Sequence, residues 1–339
     1  MASAGKQPRP NRRAIVVGGS IAGLFTAAFL RRIGWQAEVY ERSSIELIGR
    51  GVGIFATHLE LFEALDSCGA GTVDIGVIVY KRITFDRKGN VIAEKPLLQI
   101  VTSWDRLRQV LLKAIDRSRY HFGYAFDRVE QDGNGVHVYF ANGRSERADL
   151  LVACDGFRSS VRAQLLPNVQ PIYSGYYIWR GAPNESDLSP ETRMTMFPYY
   201  SFFLGDQVQA LGYPIAGADD ELRIGHRRYN WGWYRLATAQ ELRAMCVDDQ
   251  GCEYEFGVPP PLVRKDLIAQ MPRRGGNIPA AVSRLSAPHR PAVLHTGLRL
   301  LLTKLGIRAR CTGRRCSLDA SSSHGLWCLQ GWCRGTSFS

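Results

Sequence analysis

Ala14-Ile15-Val16-Val17-Gly18 is a short apolar run rich in β-branched side chains, the pattern of a buried parallel strand without a solvated face. Gly18-Gly19-Ser20-Ile21-Ala22-Gly23 follows it directly. Leu24–Ile33 is then mostly apolar, rich in helix formers and free of Gly and Pro, which predicts a helix with Gly34 as its C-terminal cap. Gln36–Tyr40 predicts a second strand, closed by Glu41. Farther along, Thr102–Leu107 opens a helix carrying Leu107 and Leu111. Leu150–Cys154 is another apolar strand, running into Asp155-Gly156 and a helix start capped by Ser159 or Ser160. The period then changes. Tyr173–Gly181, Leu211–Ile215 and Tyr229–Tyr234 alternate aromatic with small or polar residues, as half-buried strands do. Most of these aromatics are expected to pack the sheet, with one or two facing the ring of a ligand.

The first unit reads strand, glycine turn, helix, strand, acid, and each part has a physical task. Gly18 permits the tight turn, the small Ser20 lets a pyrophosphate approach the backbone, and Gly23 lets the helix pack closely on the strand. The helix start at Ser20, Ile21 and Ala22 offers free N–H groups and a positive dipole end to phosphates. Glu41, followed by Arg42, ends the second strand where a carboxylate can accept hydrogen bonds from ribose hydroxyls. A glycine turn alone occurs in many α/β proteins, and Ser20 replaces the middle glycine here. It is the complete unit that predicts nucleotide binding.

Charge and composition narrow the alternatives. The chain has 339 residues, of which 45% are hydrophobic, enough for one large or two medium domains with cores. No apolar stretch reaches the roughly 18 residues of a transmembrane helix. The net charge of +12 invites a nucleic-acid reading, but it sits at the two ends. Lys6, Arg9, Arg12 and Arg13 lie in the first 13 residues without an acid. Residues 288–339 hold seven Arg, one Lys and only Asp319, so the body between is nearly neutral and nucleic-acid binding is not expected of it. Residues 1–13 are polar and lack the apolar core of a signal peptide, so they read as a disordered lead. Cys68, Cys154, Cys246 and Cys252 are scattered through the body, which fits reduced thiols of a cytoplasmic protein better than a disulfide framework.

Leu150–Arg162, with its Asp155-Gly156, resembles the Asp-Gly motif of the class A FAD-dependent aromatic hydroxylases, a family of flavoprotein monooxygenases. Gly49-Arg50-Gly51-Val52-Gly53-Ile54 is similar to the family's glycine segment beside the cofactor, and the aromatic strands look like substrate-domain strands of members that hydroxylate pyridine rings. The resemblance covers roughly residues 14–287. It implies an α/β fold in which a Rossmann-like FAD-binding domain is interleaved with a mostly antiparallel β-sheet substrate domain. It implies FAD held by Gly18, Ser20, Ile21, Ala22, Gly23, Glu41, Arg42, Val52 and Asp155. Relatives commonly place an Arg where Trp104 stands; Arg106 is the candidate replacement, or else a solvated helix residue. The implied reaction uses NAD(P)H to reduce FAD, which then forms a C4a-hydroperoxide with O₂. One oxygen goes to a small phenolic or hydroxypyridine ring and the other leaves as water. A base at the ring would assist, with His226 and Tyr213 as candidates that read equally as structural residues. No metal site and no membrane contact are expected, and homodimers are common in the family.

The expected domains are a lead at 1–13, an FAD-binding domain at 14–75 and 100–170, a substrate domain at 76–99 and 171–275, a return to the FAD domain at 276–294, and an aberrant tail at 295–339. The family's second flavin motif, a Gly-Asp before a Pro and a glycine-rich helix start, is expected after Val293-Leu294. The chain instead reads His295-Thr296-Gly297, and no Gly-Asp occurs after residue 290. The tail turns basic and Cys-rich and loses periodicity beyond Leu305, as a frameshift or gene-model error would produce. It is expected to be poorly ordered, with the C-terminal part of the fold missing. A zinc site on Cys311, Cys316, Cys328 and Cys333, or a basic nucleic-acid tail, is the lesser alternative. Two functional expectations follow: an active monooxygenase, or an inactive flavoprotein remnant.

Overall fold

The computed structural model describes residues 11–47, 53–55, 59–71, 74–205, 208–218, 220–255, 257–259, 262–274, 293–299 and 326–328. Its nucleotide half is built on β1 (Arg13–Val17), β2 (Gln36–Glu41), β6 (Tyr120–Phe122), β10 (Leu150–Ala153) and β16 (Leu326–Cys328). They form one parallel sheet in the order β16-β10-β1-β2-β6. The apolar run at the start of the chain becomes the central strand because both its faces are covered. Ala14 and Val16 pack with Leu24 and Ala27 of α1 (Ile21–Arg32) and with Leu107 and Leu111 of α3 (Trp104–Lys113). Ile15 and Val17 face the other way, onto Val129, Val138 and Phe140 of a small antiparallel sheet, β7 (Phe126–Asp132), β8 (Gly135–Phe140) and β9 (Ser145–Ala148). Leu65 of α2 (Leu59–Ser67) completes the α1/α3 side. Gly34 takes φ +88° just past the end of α1, the left-handed position expected of a cap. After β10, Ser159 rather than Ser160 caps α4 (Ser160–Leu165), accepting the Arg162 N–H at 2.9 Å.

The second half is an eight-stranded sheet of β3 (Gly53–Phe55), β4 (Val77–Phe85), β5 (Val91–Ser103), β11 (Ile172–Gly181), β12 (Tyr199–Gly205), β13 (Val208–Ile215), β14 (Arg228–Leu236) and β15 (Val293–Arg299), in the order β15-β11-β14-β13-β12-β4-β5-β3. All neighbours are antiparallel except β4 and β12. Its alternation sorts two faces. Tyr177, Trp179, Phe203, Trp231 and Trp233 are buried against α5 (Pro190–Met196), α6 (Ala239–Met245) and α7 (Lys265–Arg274) through Met196, Leu242, Met245 and Leu267. The opposite face carries Arg180, Tyr200, Tyr213 and Tyr234, and its Tyr200, Tyr213 and Ile215 pack with Val77, Val79 and Val101. The arrangement is thus α/β, with a Rossmann-like parallel sheet interleaved with a mostly antiparallel one.

Two expectations about boundaries differ from the structure. Strand β5 runs unbroken through 99/100 to Ser103, which then caps α3 by accepting the Arg106 N–H at 3.1 Å. One continuous strand therefore ties the halves together. Strand β15 crosses 294/295 and pairs with β11 in the larger sheet, where the return to the nucleotide half was expected. The tail also supplies β16, parallel to β10, so it is not wholly without regular structure. A short apolar strand carries little information about its partner; the free edges of β11 and β10 decide it. Cys311, Cys316 and Cys333 lie outside the described residues, as do Gly49, Arg50, Gly51 and Val52. No helix among the described residues is long and apolar enough to cross a membrane.

Candidate functional site

The carboxyl ends of β1 and β10 meet at the glycine turn. Gly18 adopts φ +105°, a left-handed conformation that L side chains rarely take. A Cβ there would lie 2.4 Å from Cys154 O and 2.9 Å from the Asp155 Cα, so the two turns abut. At Gly23 a Cβ would lie 1.8 Å from Gly18 O, which is the close helix–strand approach read from the sequence. The first bond of α1 runs from the Leu24 N–H to Ser20 O at 2.9 Å, leaving the amides of Ile21, Ala22 and Gly23 without an acceptor in the helix. The Ser20 side chain does not cap the helix and no acid stands in its first turn. That end of α1 therefore presents N–H groups and positive dipole without a charge that would compete with a bound anion. Ser20 and Ile21 are half-buried and Ala22 is exposed.

Glu41 is buried, and its carboxylate accepts the Gly19 N–H at 2.8 Å and the Ser43 N–H at 2.9 Å. A carboxylate has about four acceptor positions, so capacity for ribose hydroxyls remains. Asp155 accepts the Val161 N–H through Oδ2 at 3.3 Å, while its Oδ1 is buried with no hydrogen-bond partner. A buried carboxylate oxygen left unpaired is costly and is explained when a ligand hydroxyl donates to it. Arg42 is exposed beside this site. The residues therefore fit the ADP portion of FAD: amides for the pyrophosphate, and Glu41 and Asp155 for hydroxyls.

The structure bonds Arg106 elsewhere. Its guanidinium donates to the Asp74 and Asp220 carbonyls and pairs with the Asp220 carboxylate at 2.8 Å. The helical period separates Arg106 from Arg108, because positions two apart lie on nearly opposite sides of α3. Arg108 is the one turned inward. It is fully buried, donates to Tyr120 Oη at 3.0 Å, lies 3.4 Å from Gly19 O through Nε, and pairs with Glu46 at 3.2 Å. Burial alone would raise the Glu46 carboxyl, but Arg117 and Arg108 together hold it below the usual range. The sequence did contain a signal: Arg108 stands in the same helical stripe as Leu107, Leu111 and Leu112.

The face of the large sheet turned away from α5, α6 and α7 is cationic and aromatic, with Tyr200 and Tyr213 buried in it. Arg180 is directly across from Gly232, which is across from Leu211; Tyr234 and Tyr213 lie two positions along from these on the same face. Arg180 has no ion pair with a described residue; the neighbours acting on its charge are the Tyr213 and Tyr234 phenols. Burial raises both phenols, and Arg180 pulls them back. Tyr200 meets Tyr213 edge-on at 4.8 Å, and Arg82 lies over the Tyr200 ring at 5.5 Å. A Cβ on the buried Gly232 would make ordinary contacts at 3.6 Å with Ile178 and Tyr234. His226 is exposed, outside this face.

A family model described as FAD binding domain matches residues 12–180, and one described as FAD binding domain-like matches residues 173–290. The chain is 29% identical over 244 residues to 2,6-dihydroxypyridine 3-monooxygenase of Paenarthrobacter nicotinovorans, covering 70% of this chain and 59% of that one. It is 27% identical over 251 residues to an FAD-dependent urate hydroxylase of Klebsiella pneumoniae, covering 65% and 64%. It thus spans about 60% of the length of these relatives. The solved structure of 2,6-dihydroxypyridine-3-hydroxylase from Arthrobacter nicotinovorans superposes with a TM-score of 0.78 at 26% identity, covering 86% of this chain and 73% of that one. The Klebsiella pneumoniae HpxO structure with FAD and uric acid shares the fold at a TM-score of 0.63 and 22% identity, covering 84% and 67%. Matched from residue 12 to 290 and folded as its relatives are, the chain belongs to the FAD-dependent flavoprotein monooxygenases that include the aromatic hydroxylases.

Proposed function

We propose that the chain is an NAD(P)H-dependent flavoprotein monooxygenase that hydroxylates a small phenolic or hydroxypyridine ring. One observation carries the reading: the glycine turn and the unpartnered Asp155 Oδ1 adjoin at the ends of β1 and β10. Ser20, Ile21 and Ala22 would hold the FAD pyrophosphate through their amides, Glu41 and Asp155 would take hydroxyls, and Arg42 and Val52 would flank the cofactor. FAD, when bound, supplies the redox and oxygen-activating chemistry. The chain binds and orients the ring. Arg180 attracts an anionic or electron-rich ring oxygen, and the Tyr213 and Tyr234 hydroxyls can donate to it. Tyr200 and Leu211 give the ring apolar walls.

A second reading, a flavin-binding remnant without turnover, is favoured by the absence of a Gly-Asp pair after residue 290. One experiment separates the two. The full chain is purified and its bound flavin quantified, and oxidation of NADH and NADPH is followed with and without 2,6-dihydroxypyridine. Stoichiometric FAD with substrate-stimulated oxidation and ring hydroxylation supports the enzyme. FAD without turnover supports the remnant, and absence of FAD sinks both.

A further inference from the structure

Three observations converge on the two peptides that flank Gly19. On one side of Gly19, in the peptide it shares with Gly18, the Gly19 N–H donates to Glu41 at 2.8 Å. On the other, Gly19 O accepts from Tyr120 Oη at 2.9 Å, and Arg108, itself fully buried, donates to that same hydroxyl at 3.0 Å and lies 3.4 Å from Gly19 O. The fit leaves no room for a side chain, because a Cβ on Gly19 would lie 2.0 Å from Tyr120 Oη. In a planar trans peptide the carbonyl and the following N–H point in opposite directions. A Gly19 carbonyl held inward therefore aims the Ser20 N–H outward, beside the unpaired amides that open α1.

We infer that Arg108, acting through Tyr120, is a positioning residue that locks the Gly19–Ser20 peptide so that the Ser20 N–H faces the cofactor's pyrophosphate. This rests on the FAD reading above. Arg108 never touches the cofactor; it removes the alternative in which that peptide flips and presents a carbonyl oxygen to an anion. Its pairing with Glu46, which Arg117 also holds at 2.6 Å, anchors the guanidinium from the far side. A buried charge with satisfied partners gives the turn one orientation before the ligand arrives, so no ordering cost falls on binding.

The test compares ligands with and without phosphates on flavin-free full-length protein. ADP and adenosine are titrated by ligand-observed NMR, and FAD by fluorescence quenching, for the wild type, Arg108→Met, Arg108→Lys and Tyr120→Phe. Arg108→Met is expected to weaken ADP and FAD by about tenfold or more while adenosine changes less than about twofold. Arg108→Lys should recover part of the loss. Parallel weakening of ADP and adenosine, or an unchanged ADP affinity, overturns the proposal in favour of a purely structural arginine. Should Arg108→Met not fold, Tyr120→Phe carries the same comparison, with a loss of about threefold confined to the phosphate-bearing ligands. Wild-type protein that binds ADP but takes up no FAD refutes the flavin reading alone and leaves this comparison to be decided on ADP. Binding of neither overturns both.

Discussion

Arg180 sits half-buried beside two phenols and without a described counter-ion, an arrangement that costs desolvation until an anion joins it. Replacing it with Met is therefore expected to leave the melting temperature of the ligand-free protein unchanged or raised, while KM for the ring substrate rises about tenfold or more. A lowered melting temperature with KM unchanged would show that Arg180 supports the sheet instead. At Gly23 the sign is opposite. Ala would place a methyl 1.8 Å from Gly18 O, so Gly23→Ala should destabilise by about 1–3 kcal/mol in denaturant titration. The contrast shows what was legible at this scale. Gly18 and Gly23 are demanded by backbone geometry, which local spacing encodes. Arg180 and Arg108 acquire their roles from neighbours more than ten residues away in the chain, and only the apolar stripe around Arg108 hinted at them.

Helix α3 is the element on which both halves depend. Its cap is Ser103, the last residue of β5, and its inward stripe carries Leu107, Arg108 and Leu111. Ser103→Ala should cost about 1 kcal/mol. Hydrogen exchange should show faster exchange at the first turn of α3, with the amides of β1 unaffected; uniform acceleration through the nucleotide half would refute a local cap. The strand–turn–helix–strand unit at 14–41 was readable because burial on both faces imposes an unbroken apolar run, and the aromatic strands because aromatic residues alternate along them with small or polar ones. The sequence also announced a helix after Thr102. It did not reveal that β5 continues into that helix, because a strand end and a cap share the same extended backbone at Ser103. The pairing of β15 was equally hidden, since apolar strands state their period and not their partner.

Across the whole molecule, acid should act through a few buried pairs. Glu185 is buried, bonded to Arg227 at 2.7 and 2.9 Å and to the Gly225 N–H at 2.8 Å. Burial pushes its carboxyl up, but Arg227 and the backbone donors outweigh that and hold it below the ordinary glutamate value of 4.5. A depressed folded pKa means stability present above the unfolded value and lost as pH falls through the folded one. Thermal stability should accordingly decline below about pH 4.5, and Glu185→Gln should both lower stability at neutral pH, by roughly 3 kcal/mol, and flatten that acid limb. An unaltered acid limb in the variant would place the proton elsewhere. Arg106 gives a complementary test between elements. Its bonds to Asp74 and Asp220 join α3 to distant turns, so Arg106→Ala should cost about 1 kcal/mol of stability with ADP affinity unchanged. A drop in ADP affinity would return Arg106 to the nucleotide site.

The sequence by itself determined the elements and the nucleotide turn, because steric limits on backbone, helical and strand periods, and the need for small residues beside phosphates all act over short stretches of chain. It also carried the family resemblance. Tertiary structure alone decided which edge β15 and β16 join, which of two arginines on one helix faces inward, and which polar side chains share the face of the large sheet turned away from its helices. Those choices depend on pairings and desolvation between segments remote in sequence, and no local pattern records them. The glycine turn belongs to both accounts: its residues are legible in order, while the direction of its decisive N–H is set by Arg108 and Tyr120.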